Sequence, residues 1–275
     1  MNCFICSKGD DARMAFGDPK RSRDVHDSRM ERFNVEIRKN SALRNRALVS
    51  ASLVGLSCAA GAIGALLGSG RTRYKGMWLD QCLGPIVIAH AISGGAAIAY
   101  TVCRSLAFER NVYNVELDRE LWEIENHIVG EIQEMVAIYR AQGLSEDEAY
   151  SITRTFAKHP QVFANLMMVE ELGYSRLEPP AWREAIVDAA IPAGVGYTAG
   201  WVLPLLPLIT TGLGSARSEV LSVCTLAAGT VVVSVGQSEV FFGGYTSLRK
   251  TFESIAWNLA AVSAISGLMY VLSRR

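Results

Sequence analysis

The sequence predicts an all-α membrane protein with five transmembrane helices and a three-helix cytosolic domain inserted between the second and third helices. Three observations support this fold class. Half of the 275 residues are hydrophobic and the formal net charge is zero. The chain also contains five long uncharged runs, and one acidic segment separates the second run from the third. A composition this apolar with few aromatic residues is typical of membrane proteins.

Five apolar runs are long enough to cross a bilayer, which takes about 20 residues of helix. Charged residues border them, and the runs lie at 47–70, 81–103, 189–216, 220–238 and 254–273. The first two runs are rich in Gly, Ala and Ser, which allow membrane helices to approach closely. We therefore predict five spans, with close helix packing around the first two.

Lysine and arginine near the spans predict the orientation, because they are enriched on the cytosolic side. The first 46 residues contain eleven of them. The N-terminus is therefore predicted to be cytosolic, and five spans then place the C-terminus in the lumen. We divide the chain into a disordered basic cytosolic tail, two spans, a cytosolic helical domain and three further spans, at residues 1–40, 41–108, 109–180 and 181–275.

The tail has no apolar segment typical of a signal peptide, so the first span is expected to serve as the targeting signal. Cys3 and Cys6 in this tail are either half of a zinc knuckle or free or lipidated thiols. The other four cysteines lie in or beside the spans, and this distribution does not indicate a disulfide framework.

The acidic segment is predicted to form three helices. Residues 109–178 contain fourteen acidic residues against six basic ones. The first helix is expected to continue from the second span to about Arg140, with Gly130 as its only weak point, and to end at Gly143.

The second and third helices of the acidic segment have clear start signals. Ser145 and Glu148 have the spacing of a capping box, which begins the second helix. The third helix is predicted within "HPQVFANLMMVEELGY" (159–174), with Pro160 in its first turn and Gly173 at its end.

Glutamates recur on one face of the first of these helices. At about 100° per residue, four of them fall within about 80° of one another; they are Glu120, Glu123, Glu131 and Glu134. This stripe is either a solvated face or a cation site. Like charges four residues apart destabilise a helix by a few tenths of a kcal/mol per pair, and few basic residues relieve the repulsion. That repulsion favours cation binding.

The third helix adds a softer set of ligands. Met167 and Glu171 are four residues apart and therefore share a face. Carboxylates alone suit Mg²⁺, Ca²⁺ and Mn²⁺, whereas added sulfur favours late first-row ions such as Fe²⁺, Co²⁺ or Zn²⁺. Met167 is either a metal ligand or a residue of the domain core.

No enzyme motif is present in the sequence: we find no Walker loop, no HExxH and no Ser/His/Asp arrangement. Only the basic tail suggests nucleic-acid binding, and charge next to a membrane explains that tail more simply. The sequence therefore predicts neither an enzyme nor a nucleic-acid-binding protein.

The acidic segment and the last three spans resemble the vacuolar iron transporter family over about residues 109–272. The glutamates match the family pattern E-x2-E-x7-E-x2-E, and Met167, Met168 and Glu171 match its M-M-x-x-E segment. The sequence "GWVLPLLPL" (200–208) is similar to the third span of the family, and "SVGQSEVFFGG" (234–244) is similar to its fourth.

The resemblance implies a function and a set of ligands. Family members move Fe²⁺, and often Mn²⁺, from the cytosol into an acidic store such as the vacuole in exchange for protons. The implied metal ligands are Glu120, Glu123, Glu131, Glu134, Met167, Met168 and Glu171. Fe²⁺, or alternatively Mn²⁺ or Zn²⁺, is then the substrate, and no permanently bound cofactor is expected. The family is homodimeric, and we expect the first span, with Gly61 and Gly64, to form the dimer interface.

The first two spans depart from the family pattern. The family usually has an Asp in span one and a Glu and a Met in span two, where this chain has Val54, Ile86 and Gly94. His90 is the ionisable side chain deep in these spans. It either forms a helix–helix hydrogen bond or replaces the missing groups in the transport path.

Two functions follow from these observations. The first is a divalent metal transporter in the membrane of a vacuole-like organelle. The second is a relative that does not transport and acts as a membrane-anchored metal-binding or structural subunit. The complete ligand pattern of the acidic segment favours metal handling, whereas Val54, Ile86 and Gly94 favour loss of permeation.

Overall fold

The computed structural model describes residues 19–20, 41–69, 77–174, 180–211, 215–241 and 248–274. These residues are 92% helical, and no strand occurs among them. Residues 19–20 of the predicted disordered tail are helical, and the rest of that tail, with Cys3 and Cys6, lies outside the described residues.

The described helices follow one another with short connections. They are α1 (Ser41–Gly68), α2 (Met77–Ala141), α3 (Glu146–Phe156), α4 (Pro160–Glu170), α5 (Trp182–Glu184), a π-helical stretch (Ala185–Ala190), α6 (Ile191–Thr211), α7 (Ala216–Phe241) and α8 (Leu248–Ser273). Five helical stretches are long and apolar enough to cross a membrane. The prediction of an all-α protein with five spans is therefore confirmed. In α2 only the part up to about Cys103 is apolar, and the acidic part follows.

The chain divides into two compact units. The membrane unit comprises the residues up to Val102 and those from Ile186 onward, and the insert comprises Cys103–Ala185. In the membrane unit α1 is the central helix, because it packs against α6, α7 and α8. Its buried side chains Leu56 and Ile63 share a hydrophobic core with Leu205 of α6.

Glycines allow the backbones in the membrane unit to come into contact. A Cβ atom at Gly55 of α1 would collide with the carbonyl oxygen of Tyr197, and one at Gly200 of α6 would collide with that of Ser52. Small residues are used in this way in membrane helix pairs, since they let van der Waals contacts form along the backbone. The predicted close packing around the first span is therefore observed inside a single chain.

The expected role of Gly61 and Gly64 in a dimer interface is not what the structure shows. A Cβ atom at Gly64 would collide with the backbone of Ser266 in α8, and one at Gly61 would lie 3.7 Å from Ile265 of the same helix. These glycines are occupied by contacts within the chain. For these two glycines the expectation was wrong, because a stripe of small residues indicates close packing without specifying the partner helix. A dimer interface elsewhere on the first span stays a prediction.

The insert contains the acidic part of α2 followed by α3 and α4. Ser145 caps α3 with the predicted capping box, in which the Ser145 N–H donates to Glu148 Oε2 at 3.0 Å. Gly143 has φ of +108°, in the left-handed region that favours glycine, where the chain leaves α2. Pro160 begins α4 as predicted.

Candidate metal centre

The insert helix that carries the four glutamates is interrupted at His127. This residue has φ of −138° and ψ of 33°, outside the helical region. The interruption lies three residues before Gly130, the position that the sequence marks as weak. Glu120 and Glu123 therefore belong to one helical segment, and Glu131 and Glu134 belong to another.

Three carboxylates converge across this break. Oxygens of Glu120, Glu131 and Glu171 all lie within 4.8 Å of one another. In an uninterrupted helix, Glu120 and Glu131 would be separated by about 16 Å along the axis, at 1.5 Å per residue. The chain must therefore change direction sharply at His127, and this bend brings the two segments to Glu171 at the end of α4.

The apolar side of the insert holds the three carboxylates in place. Ile124 and Met135, on either side of the break, pack in one core with Phe163 and Met167 of α4. Because Ile124 is four residues after Glu120, and Met135 is four residues after Glu131, the same core that closes the bend also positions the acidic side chains.

Two of the three acidic residues are buried. Glu120 is 1% exposed and Glu131 is 6% exposed, whereas Glu171 is exposed. Glu120 Oε2 has no hydrogen-bond partner among the described residues. A buried carboxylate oxygen without a partner is costly, so the position of Glu120 is one that a bound cation would stabilise.

The pKa values in the cluster reflect this burial and the mutual repulsion of the carboxylates. Burial is the main cause that raises the pKa of Glu131 from 4.5 to about 7, and the charges of Glu134, Glu123, Glu120 and Glu171 add to the shift. Burial also raises the pKa of Glu171, again with contributions from Glu120, Glu134 and Glu123. The charges of Glu123 and Glu134 therefore add to the repulsion at Glu131 and Glu171.

The pKa of Glu120 is raised as well, for opposing reasons. Burial raises it, a hydrogen bond from Arg119 lowers it, and the charge of Glu123 raises it again. Arg119 Nη2 lies 3.4 Å from Glu120 Oε1. Sequence reasoning missed Arg119 as a part of the site, although its position three residues after Glu116 and four before Glu123 could have indicated it.

The two methionines of the predicted ligand set are fully buried. Met167 lies in the hydrophobic core of the insert, so its role as a core residue, which the sequence left open, is observed. The N–H of Glu171 donates to the carbonyl of Met167 at 2.9 Å and closes the last turn of α4. A ligand role for either sulfur stays a prediction.

His90 of the membrane unit is placed by two aromatic residues of α6. Its Nε2 lies 2.9 Å from the hydroxyl of Tyr197, and its ring centroid lies 4.2 Å from that of Trp201. Trp201 in turn donates from Nε1 to the carbonyl of Val87, one turn before His90, at 3.1 Å. The helix–helix hydrogen bond that the sequence allowed for His90 is therefore present. The sequence did not identify its partners, although their four-residue spacing puts them on one face of α6.

Val54, Ile86 and Gly94 stand where the family pattern has Asp, Glu and Met, and their surroundings differ. Val54 and Ile86 are exposed in the isolated chain. At Gly94, a Cβ atom would collide with the ring of Tyr197. The ring of Tyr197 thus fills the space that a side chain at position 94 would need.

Comparison with known proteins identifies the family. The model of the VIT family matches residues 84–269, which is more than half of the chain. The chain belongs to the VIT family. The matched region contains the whole insert, the helices α5, α6 and α7, most of α8 and most of the apolar part of α2.

Several relatives of this VIT family member are named as iron transporters. It is 28% identical to vacuolar iron transporter 2 of Oryza sativa subsp. japonica over 182 residues, 66% of this chain and 70% of the relative. It is 29% identical to vacuolar iron transporter 1 of Arabidopsis thaliana over 170 residues, 61% of this chain and 63% of the relative. It is 36% identical to a vacuolar iron transporter of Toxoplasma gondii over 107 residues, 38% of this chain and 33% of the relative.

Proposed function

We propose that the protein transports Fe²⁺, with Mn²⁺ as a second substrate, from the cytosol into an acidic vacuole-like store in exchange for protons. The observation that carries the proposal is the convergence of Glu120, Glu131 and Glu171, whose oxygens lie within 4.8 Å of one another. Membership of the VIT family and the names of its relatives support metal transport.

In this proposal the insert is the cytosolic receptor for the ion. Glu120, Glu131 and Glu171 supply oxygen ligands. Glu123 and Glu134 lie outside this group, add negative charge and can supply further oxygen ligands. Met167 and Met168 lie beside Glu171 in the sequence and supply sulfur, which shifts preference towards Fe²⁺, Co²⁺ or Zn²⁺. The ion is a substrate, so the site must release it as well as bind it.

The chemistry of the same carboxylates supports a link between metal binding and proton release. A metal ion binds the deprotonated form of its ligands, so binding expels protons and protonation expels the metal. With a pKa of about 7, Glu131 changes protonation near neutral pH. The cluster therefore combines metal affinity with proton binding near neutral pH.

The proposed path through the membrane uses His90. If the Nε2–H of His90 donates to the oxygen of Tyr197, Nδ1 has a free lone pair that can bind a cation. If Tyr197 donates instead, Nδ1 carries the proton and cannot bind a metal. The ring is exposed in the isolated chain, and we propose that a second copy covers it in a homodimer with the N-termini in the cytosol and the C-termini in the lumen.

The second candidate function is a VIT relative that binds metal without transporting it. The specific observation in its favour is Gly94, where the ring of Tyr197 fills the space of a side chain, together with the apolar residues Val54 and Ile86. Such a protein would be a membrane-anchored metal-binding or structural subunit.

Reconstitution of the purified protein in liposomes separates the two functions. Fe²⁺ and Mn²⁺ uptake would be measured with and without an acidic interior. Uptake that depends on the pH gradient supports transport by proton exchange. Metal binding in detergent without uptake in liposomes under either condition would support the second function and reject the first.

A further inference from the structure

Arg119 contacts three glutamates on neighbouring turns of α2. Its Nη2 lies 2.9 Å from Glu116 Oε2 and 3.4 Å from Glu120 Oε1, and its Nε lies 4.0 Å from Glu123 Oε1. These residues are three before, one after and four after the arginine, so a single helical segment forms the whole arrangement. The guanidinium group is thus the cation that the acidic side chains of this segment contact in the structure.

Glu120 connects this arginine to the carboxylate cluster. Its Oε1 faces the guanidinium group, and the same residue takes part in the group with Glu131 and Glu171. Its other oxygen, Oε2, is buried and has no hydrogen-bond partner among the described residues. A divalent ion bound by the cluster and the guanidinium group of Arg119 would therefore share one carboxylate.

The side chain of Arg119 is far more exposed than that of Glu120, which it contacts. It is 52% exposed, whereas the side chain of Glu120 is 2% exposed. An arginine does not lose its charge under physiological conditions, so it can make room for a second cation only by moving. Because half of its surface already faces solvent, such a movement would disturb little packing.

We propose that Arg119 is a built-in competitor of the metal ion: it contacts the glutamates when the ion is absent, swings into solvent when the ion binds, and returns to promote release. This inference rests on the proposed function of the insert as a metal-binding domain. A site for a transported ion must not bind so tightly that it cannot release its substrate. Arg119 would limit the affinity of the cluster for this reason.

A pair of matched variants tests the competition. Arg119→Gln removes the guanidinium charge from the cluster, and Arg140→Gln removes a similarly exposed arginine that pairs with Glu146 at 3.5 Å, outside the three-carboxylate group. Mn²⁺ binding to the full-length protein in detergent would be followed by the loss of the electron paramagnetic resonance signal of free Mn²⁺. We expect Arg119→Gln to bind at least about tenfold more tightly than the unmodified protein, because a positive charge near the ion is lost, and Arg140→Gln to bind with unchanged affinity.

A second measurement uses the unmodified protein and does not depend on the folding of a variant. The rate at which phenylglyoxal modifies Arg119 would be followed by mass spectrometry with and without Mn²⁺, with Arg140 as the internal reference. Mn²⁺ should increase the rate at Arg119 severalfold and leave the rate at Arg140 unchanged. A rate at Arg119 that stays equal or falls on metal binding would overturn the proposal.

The outcomes distinguish this inference from the proposed function. If the unmodified protein binds Mn²⁺ and Arg119→Gln binds it equally or more weakly, Arg119 is not a competitor and only this inference is rejected. A role confined to helix stabilisation would give that result together with a lower melting temperature. If the unmodified protein binds no Mn²⁺, both the inference and the proposed metal-binding function are rejected.

Discussion

Glu120 and Glu131 are eleven positions apart within α2, yet oxygens of their carboxylates lie within 4.8 Å of each other. The interruption of the helix at His127 makes this approach possible. Each residue is buried, and the described residues include no buried lysine or arginine. Arg119, which contacts Glu120, is half exposed. The geometry therefore concentrates negative charge in one place, and the predictions below follow from that concentration.

Replacement of the buried carboxylates should remove metal binding. Glu120→Gln and Glu131→Gln each keep the size of the side chain and remove one negative charge, so we expect each to weaken Mn²⁺ binding by at least about tenfold. Isothermal titration calorimetry on the full-length protein in detergent measures the effect. Glu125→Gln is the control, because Glu125 is exposed and does not belong to the three-carboxylate group. Equal losses in all three variants would contradict the assignment.

The metal-free insert should become less stable as the pH rises between about 4.5 and 7. The pKa of Glu131 is about 7 in the folded protein against 4.5 as its ordinary value, so the folded state holds this proton more tightly than the unfolded state does. The stabilisation is fully present below pH 4.5, is lost through this window and stays absent above it. Thermal unfolding of the metal-free protein and of Glu131→Gln would be compared from pH 4 to pH 8.

The difference in stability between Glu131→Gln and the unmodified protein should change with pH in one direction. Gln resembles the protonated form of Glu at all pH values, so the advantage of Glu131→Gln over the unmodified protein should grow from pH 4.5 to 7 and then level off. The metal affinity of the unmodified protein should change in the opposite sense and fall below pH 7, because protons compete with the ion. A stability difference that does not vary with pH would refute the role assigned to Glu131.

The close contact of α1 with α8 should make Gly64 sensitive to any side chain. In Gly64→Ala the new methyl group meets the backbone of Ser266, and overpacking of this kind costs about 1–3 kcal/mol. Gly267→Ala is the matched control, since nothing lies within 4 Å of its Cβ position. We expect the first variant to lower the unfolding temperature in detergent and the second to leave it unchanged or raise it. The reverse order would contradict the packing of α1 inside the chain.

Much of this architecture could be predicted from the sequence, because it depends on local patterns. Runs of apolar residues fix the five spans, and Ser145 with Glu148 fixes the start of α3. The break at His127 could not be predicted in this way. The weak point that the sequence marks, Gly130, lies three residues after the break. The bend itself packs Ile124 and Met135 against Phe163, and such contacts join segments that are distant along the chain.

In the candidate site, too, the local pattern could be predicted and the contacts between distant segments could not. The glutamate spacing identified the acidic residues, but on a single continuous helix Glu120 and Glu131 could not have met. The spacing therefore singled out two of the three glutamates that converge, on the assumption of a continuous helix that the insert does not contain. The partners of His90 were missed for a related reason, since pairing with Tyr197 depends on how α2 packs against α6 in three dimensions.

His90 should be required for transport and dispensable for metal binding by the insert. We expect His90→Ala to reduce Fe²⁺ flux into liposomes by at least about tenfold, since a dehydrated ion in the membrane then loses a ligand, while Mn²⁺ binding to the full-length protein is retained. Tyr197→Phe removes the hydroxyl 2.9 Å from His90 Nε2 and should reduce flux to a smaller extent. Tyr100→Phe is the control, because Tyr100 is exposed and lies on α2, the helix that carries His90. Normal flux in His90→Ala would exclude it from the path.

We propose that the carboxylates of the insert deliver the ion that the membrane unit transports. The most direct test is the initial rate of Fe²⁺ uptake into liposomes with an acidic interior, under reducing conditions and at an Fe²⁺ concentration below saturation. The unmodified protein is compared with the double variant Glu120→Gln/Glu131→Gln and with Glu125→Gln. We predict uptake by the unmodified protein and by Glu125→Gln, and a rate at least about tenfold lower for the double variant. Equal rates for the double variant and the unmodified protein, or no uptake by the unmodified protein, would contradict the claim.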